Sequence, residues 1–451
     1  MGVTKHGDTI SRVLANYFTN LTYDDLSTVN IKAAKRMLRD YFGVIAKGCH
    51  TGSGEIAAKM VEQMGGVGES TVIGKGFKVP AASAAFANAI SEHSIELDDV
   101  DTVALFHFGP PVISAALAAG EKANCRGKEL ITAIVCGCEM MERLSWALNP
   151  ALRNRGFHTT PVAGAFGAAV AAGKLLKLTA EELTNALGLA GAQASGLMEM
   201  YGDNMQKRFN PGPAARNGIV ACLLAKLGYT GADTIFEGER GIFNAFSGEG
   251  NLEALLPDYH APYVLEIEFK RYSCARPIHT AIGAALALRP KVVSNLREIN
   301  TIKVYRHPVW VNYHTNTQPR SYHEAQVSLP YSVAVALTDG EAFFEQYLRA
   351  DKMDALSKEL IEKMEILPDP DMTSTVACRV EISIHDGTLS YQEDYPKGSV
   401  KNPMTDDEEI QKFRKLTAGV IGKEDADILL EKINKIEFLT DMVTITEHLK
   451  F

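Results

Sequence analysis

The 451-residue sequence has no surplus of positive charge: 46 Lys and Arg stand against 55 Asp and Glu, a formal net charge of −9. General affinity for nucleic acid or an anionic membrane needs the opposite balance, so any anionic ligand must meet a local cluster of cations. Cysteine is sparse and odd in number, seven along the chain, which excludes a secreted disulfide framework. Cys136 and Cys138 stand two apart in an apolar run. In a helix that spacing points them to different faces, so they read as buried thiols rather than a metal pair. No long hydrophobic run is present. The longest small-apolar stretch, Thr159–Gly173, is too short to span a bilayer. The first residues lack the apolar core of a signal peptide, and His6 stands where a myristoylation signal wants Ser or Thr. A cytoplasmic location is expected. With 46% hydrophobic and 22% charged residues the bulk of the chain is not disordered, and no internal repeat is evident.

Several catalytic signatures are missing too. The tracts Gly65-Gly66-Val67-Gly68 and Gly74-Lys75-Gly76 complete neither a dinucleotide fingerprint nor a Walker A loop, and read as turns. There is no GxSxG. His323-Glu324 opens like a zinc-protease HExxH, but Val327 takes the place of the second His. No metal and no cofactor is expected.

What is present is helical for the first 250 residues. Ile10, Val13, Leu14 and Phe18 recur at helical spacing, as do Ala33, Met37, Leu38 and Tyr41. Thr179 with Glu182 reads as a capping box. Gly164, Gly167 and Ala168 put small side chains on one helical face, where another helix can approach closely. After about residue 253 the pattern changes. Residues 299–305 and 376–384 alternate like strands, the second followed by the turn pair Asp386-Gly387, and Leu265–Phe269 alternates over a shorter span. Helical runs at Thr280–Leu288 and Tyr331–Leu337 lie between them, and helices return from Thr405. The expected fold is mainly α: a large all-helical domain made of residues 1–265 and 405–451, with a smaller α+β lid domain of residues 266–404.

Four clusters carry candidate chemistry. Glu96-Leu97-Asp98-Asp99-Val100-Asp101-Thr102 crowds four carboxylates into six residues, with His107 shortly after. Its bland reading is a solvated acidic loop; its functional reading is a source of general acid or base. Gly156-Phe157-His158-Thr159 places a His ahead of a small-residue helix, either as packing or at an anion-binding helix start. Lys207-Arg208 sits in a Pro/Gly-punctuated loop, and Lys270-Arg271-Tyr272-Ser273-Cys274-Ala275-Arg276 is followed by His279. Two cationic clusters in an acidic chain suit a di- or tricarboxylate, and ordinary surface charge is the alternative.

Taken in order, these segments resemble the MmgE/PrpD family, which includes 2-methylcitrate dehydratase, cis-aconitate decarboxylase and iminodisuccinate epimerase. Ala87-Asn88 through His93 and Asp98-Asp99, then His107 with Gly109, then Gly156–Thr159 with Gly164–Ala169 follow the family pattern. So do Lys207 with Pro211-Gly212, Lys270 with Tyr272, Arg276 and His279, Ala325–Tyr331, and Asn402-Pro403-Met404. The resemblance implies a homodimer and a cleft between the two domains, without metal or iron–sulfur cluster. By position it implies site roles for Glu96, Thr102, His107, His158, Lys207, Lys270 and Tyr331, with Thr102 binding substrate and the others catalytic; Asp99, Arg208, Arg271, Arg276 and His279 are further substrate-binding candidates from the clusters themselves, Arg271 or Arg276 anchoring a remote carboxylate. Departures cluster at the substrate loop: Glu96 for the usual Asp, Phe108 after His107, Asn210 before Pro211 and Ser273 after Tyr272.

Family reactions make or break a C–H bond beside a carboxylate, so Lys207 and Lys270 are expected to stabilise enolate-like charge. His107 or His158 serves as base, and Tyr331 or a protonated Glu96 donates to a leaving hydroxide. The expected activity is a lyase that dehydrates a 2-methylcitrate-like hydroxy polycarboxylate. Alternatives are a cis-aconitate-type decarboxylase, an iminodicarboxylate epimerase, or a catalytically silent structural dimer.

Overall fold

The computed structural model describes residues 7–102, 106–200, 202–257, 263–385 and 387–450. It is mainly helical, with one mixed four-stranded sheet in the C-terminal region. Helices start where the sequence supplies caps. Thr9 accepts from the Arg12 N–H ahead of Ile10–Asn20, Ser27 caps Thr28–Gly48, and Thr179 with Glu182 closes a capping box on Ala180–Gly191.

The first core runs from Ile10 to Phe269 and resumes from Met404 to Leu449. At its centre lies the helix Thr159–Leu175, in which every residue except Lys174 is buried. Small residues also lie beyond the face that Gly164, Gly167 and Ala168 mark. A Cβ on Gly164 would meet Pro111, one on Gly167 would lie 2.7 Å from the Gly137 carbonyl, and one on Gly218 would lie 2.6 Å from Ala168. Neighbours therefore press on several sides, including helices Gly127–Leu148 and Pro211–Lys226, and small side chains permit each approach. No described helix is long and apolar enough to cross a membrane. All seven cysteines are buried and unpaired.

Strands β1 (Ser70–Thr71) and β2 (Lys78–Val79) form a minimal antiparallel pair. The C-terminal sheet contains β3 (Thr301–Arg306), β4 (Met364–Pro368), β5 (Cys378–Ile384) and β6 (Gly387–Glu393), in the order β4-β3-β5-β6. Only β3 and β4 are parallel. The alternation at 299–305 and 376–384 marks β3 and β5. The hairpin between β5 and β6 falls where Asp386-Gly387 was read as a turn, Asp386 itself lying outside the described residues. One expectation needs correction. Leu265–Phe269 alternates because Leu265, Ile267 and Phe269 point into the first core; its described pairing is an isolated bridge from Glu268 to Val100. The strand β4, which the sequence did not suggest, takes its place in the sheet. Helices His279–Val292 and Leu329–Asp339 join the sheet in a second core, from Tyr272 to Ile382.

The helices Asp406–Thr417 and Lys423–Asn434 return to the first core, where Phe413, Leu429 and Ile433 are buried. Four acids in the first turn of the Asp406 helix and Arg414 and Lys415 in its last turn oppose the helix dipole favourably.

Candidate functional site

The helix Ala81–Glu92 ends in a tight turn, His93–Ile95, and the chain then enters the acidic segment. Glu96 adopts a left-handed backbone, φ 55°, which costs a non-glycine residue about 1–2 kcal/mol. The segment is not solvated: Glu96 and Asp98 are fully buried, and Asp99 and Asp101 are nearly so. That removes the bland reading of a surface acidic loop.

Cations explain the burial of Glu96. One of its oxygens pairs with both Lys207 and Arg208, from the short helix Gln206–Phe209, and the other lies 3.0 Å from Lys270. Burial alone would raise the Glu96 carboxyl, but Lys207, Lys270 and Arg208 outweigh it and hold the group well below the usual range. Burial pushes Lys207 down to about 8, against the pull of Glu96. Lys270 feels the same burial, yet Asp98 and Glu96 leave it raised. Arg208 spends one nitrogen on Gln326, at 2.9 Å, and its buried Nε–H has no acceptor. Gln326 in turn donates to the Ile95 carbonyl and to Ser273.

Asp98 links these cations to the histidines. Its Oδ1 lies 3.3 Å from Lys270; its Oδ2 lies 2.7 Å from His93 Nδ1 and 2.9 Å from His107 Nδ1. His107 Nδ1 is also 2.5 Å from the Asp99 carbonyl, so Nδ1 carries the hydrogen and Nε2 is left free as an acceptor. Asp99 accepts from the Phe108 and Gly109 N–H groups at 2.8 and 2.7 Å. Burial, with the neighbouring Asp98 charge, pushes its carboxyl up to about 7. Gly109 is required there, because a Cβ would stand 2.5 Å from Asp99 Oδ1. His158 caps the Thr159 helix with non-helical backbone. Asn210 donates to its Nδ1 at 3.0 Å, and burial together with His93, His107 and Lys207 holds it neutral, well below the usual range. From behind, Lys412 of the Asp406 helix donates to the Leu97 carbonyl at 2.8 Å and to Asp40 at 2.6 Å.

Glu96, Asp99, His107, His158, Lys207, Arg208 and Lys270 thus share one buried neighbourhood. Other expected site residues lie elsewhere. Thr102 donates to Glu268 at 3.0 Å, and Arg276 places two nitrogens on the other oxygen of Glu268 at 2.7 and 3.0 Å. With its fork occupied, Arg276 is a strut rather than a free carboxylate anchor. His279 contacts Arg276 and the Cys274 carbonyl. Arg271 is exposed and pairs with Glu408 at 2.8 Å. Tyr331 is buried in the second core, where its hydroxyl donates to the Gln346 carbonyl. His93, Asp98, Asn210 and Gln326 are the members that sequence reasoning missed. His93 and Asp98 stood in the segments that follow the family pattern, but neither was assigned a role of its own.

His93, Asp98 and His107 bring three donor atoms within 4.8 Å of one another, a spacing that can hold a metal ion. Lys270, raised and so protonated, sits on the same carboxylate and opposes a second cation there. The arrangement fits a hydrogen-bonded pair of imidazoles on one shared carboxylate better than a metal centre.

A helical core joined to a smaller α+β unit, with ammonium and guanidinium groups converging on carboxylates and imidazoles where they meet, defines a class of site suited to carboxylate chemistry. The MmgE/PrpD N-terminal domain model matches residues 12–255 and the MmgE/PrpD C-terminal domain model matches residues 272–436. The chain belongs to the MmgE/PrpD family. Similar curated proteins include the cis-aconitate decarboxylase-like protein oryM of Aspergillus oryzae, 28% identical over 96% of this chain and 95% of that protein. Cis-aconitate decarboxylase of Aspergillus terreus is 27% identical over 97% of this chain and 95% of its own length. Human cis-aconitate decarboxylase is 28% identical over 98% and 94%.

Proposed function

We propose that this chain is a carbon–carbon lyase that decarboxylates an unsaturated polycarboxylate of the cis-aconitate kind. The relatives support this alternative over the dehydratase that the sequence reading preferred, since the similar proteins above are named as decarboxylases or decarboxylase-like along nearly their whole length. The observation that carries the reading is the state of the two acids a dehydratase was expected to use. Tyr331 has its hydroxyl bound to the Gln346 carbonyl in the second core, and Glu96 is held as an anion by three cations. Neither is placed to protonate a departing hydroxide. Decarboxylation has no such need.

Lys207, the part-exposed member of the trio, anchors a substrate carboxylate, and the unpaired Arg208 Nε–H completes the hold. The bond to a second carboxylate breaks, CO₂ leaves, and the electron pair passes into the conjugated double bond and the anchored carboxylate. Lys207 and Arg208 stabilise that charge. His107, its ring fixed by Asp98 through Nδ1, takes up a proton from solvent at Nε2 and delivers it to the carbon that received the pair, which returns the ring to its neutral form.

Proton NMR in D₂O tests this with cis-aconitate, 2-methylcitrate, citrate and chiral iminodicarboxylates as a panel. Loss of CO₂ from cis-aconitate, with one deuterium at the protonated carbon, is the expected result. Vinylic signals from 2-methylcitrate with cis-aconitate untouched would restore the dehydratase, and silence across the panel would overturn the assignment of substrate class.

A further inference from the structure

We infer that His93 is a positioning residue for His107, acting through the Asp98 oxygen that both imidazoles share. His93 is fully buried, and its Nδ1 and that of His107 reach the same Oδ2 at 2.7 and 2.9 Å. The rings meet edge to face with centroids 4.8 Å apart. Burial pushes His93 down to about 4, so it is neutral and donates through Nδ1. Its other nitrogen, Nε2, is buried without a partner. A phenyl ring would fill the same space without leaving a bare lone pair, so the imidazole is explained by what its Nδ1 does.

That donation has two consequences. With Lys270 on Oδ1, it fixes the rotation of the Asp98 carboxylate and hence the direction of His107. It also divides one Asp98 oxygen between two donors, so the hold of that carboxylate on the His107 N–H is shared with His93. The other groups around the pair are Glu92 from the preceding helix, Asp40 from the helix Thr28–Gly48, Lys412 from the Asp406 helix, Glu96 and Asp99 from the loop, His158 from the start of its helix, and Lys207, Arg208 and Lys270. Each substitution below leaves all of these in place.

The inference rests on the proposed role of His107 in moving the proton, so its test has a readout that does not need turnover. The full chain is labelled with ¹⁵N at histidine, and the His107 ring is titrated by NMR beside the pH dependence of kcat/KM. His93→Phe removes the competing donor, and the His107 midpoint should rise by about half to one pH unit. Asp98→Asn removes the charge, and the midpoint should fall by about one pH unit. His93→Asn retains an N–H donor and should hold the wild-type midpoint; if His93→Phe does not fold, His93→Asn and Asp98→Asn carry the test between them. Displacement in these directions supports the inference. Midpoints that move together, or a midpoint unmoved by Asp98→Asn, overturn it. If the NMR midpoint moves and the pH–rate limb does not, the role of His107 in proton transfer fails while the coupling to His93 stands.

Discussion

Glu96→Gln leaves three buried cations around a neutral amide. Lys207 and Arg208 lose the negative charge they share, whereas Lys270 keeps Asp98 at 3.3 Å. Removing one partner of a buried ion pair costs about 3–5 kcal/mol. Part of this is returned, because the Lys207 side chain is 15% exposed and Glu96 is what holds its proton against burial. Without Glu96, Lys207 gives up its proton near neutrality, leaving a net loss of about 2–4 kcal/mol. Urea unfolding at pH 7.5 measures it, with and without tricarballylate, a saturated tricarboxylate that should stabilise the variant more than the wild type by replacing the missing anion. The sign with pH follows from the depressed carboxyl of Glu96. Its contribution is complete above the ordinary glutamate value of 4.5 and is lost as pH falls through the folded value, so the two proteins should converge in acid. A variant within about 1 kcal/mol of wild type at pH 7.5, with no convergence in acid, would refute the reasoning.

Other outcomes follow from the same geometry. Because burial pushes Lys207 down to about 8, the affinity for tricarballylate should fall about tenfold per pH unit above that value, and Lys207→Arg should abolish the fall; isothermal titration giving a flat wild-type affinity from about pH 7 to about pH 9.5 would count against Lys207 as the anchor. Tyr331→Phe should cost about 1 kcal/mol of stability through the lost bond to Gln346 and leave kcat/KM within about twofold; a hundredfold loss would return Tyr331 to the site.

The helices were legible from their apolar spacing, as at Ile10–Phe18 and Ala33–Tyr41, and at Thr179 from a capping box as well. The strands β3 and β5 were legible because one of their faces is buried and the alternation follows. Strand β4 was not: its burial pattern does not alternate cleanly, and it follows the helix Ala355–Glu362 after a single residue. At the site, residue types showed which groups carry charge, but not where each one points. Lys270 and Arg271 are consecutive, yet one is buried on Glu96 and the other exposed on Glu408. Arg276 has the chemistry of an anchor, and only the fold shows Glu268 already occupying it. His93 and Asp98 were passed over because their importance lies in a shared oxygen, a relation between side chains that spacing along the chain does not encode.

The Lys412 ammonium reaches the Leu97 carbonyl across 315 residues of chain, between the two carboxylates that organise the cations and the imidazoles. A polypeptide emerging from the ribosome has Glu96, Asp98 and all three histidines long before it has the strut that spaces them. Contacts so distant in sequence form slowly, because the intervening loop must first be closed. The candidate site is therefore among the last parts of the molecule to be completed, and a chain still being made carries its charged groups without yet holding them at these distances.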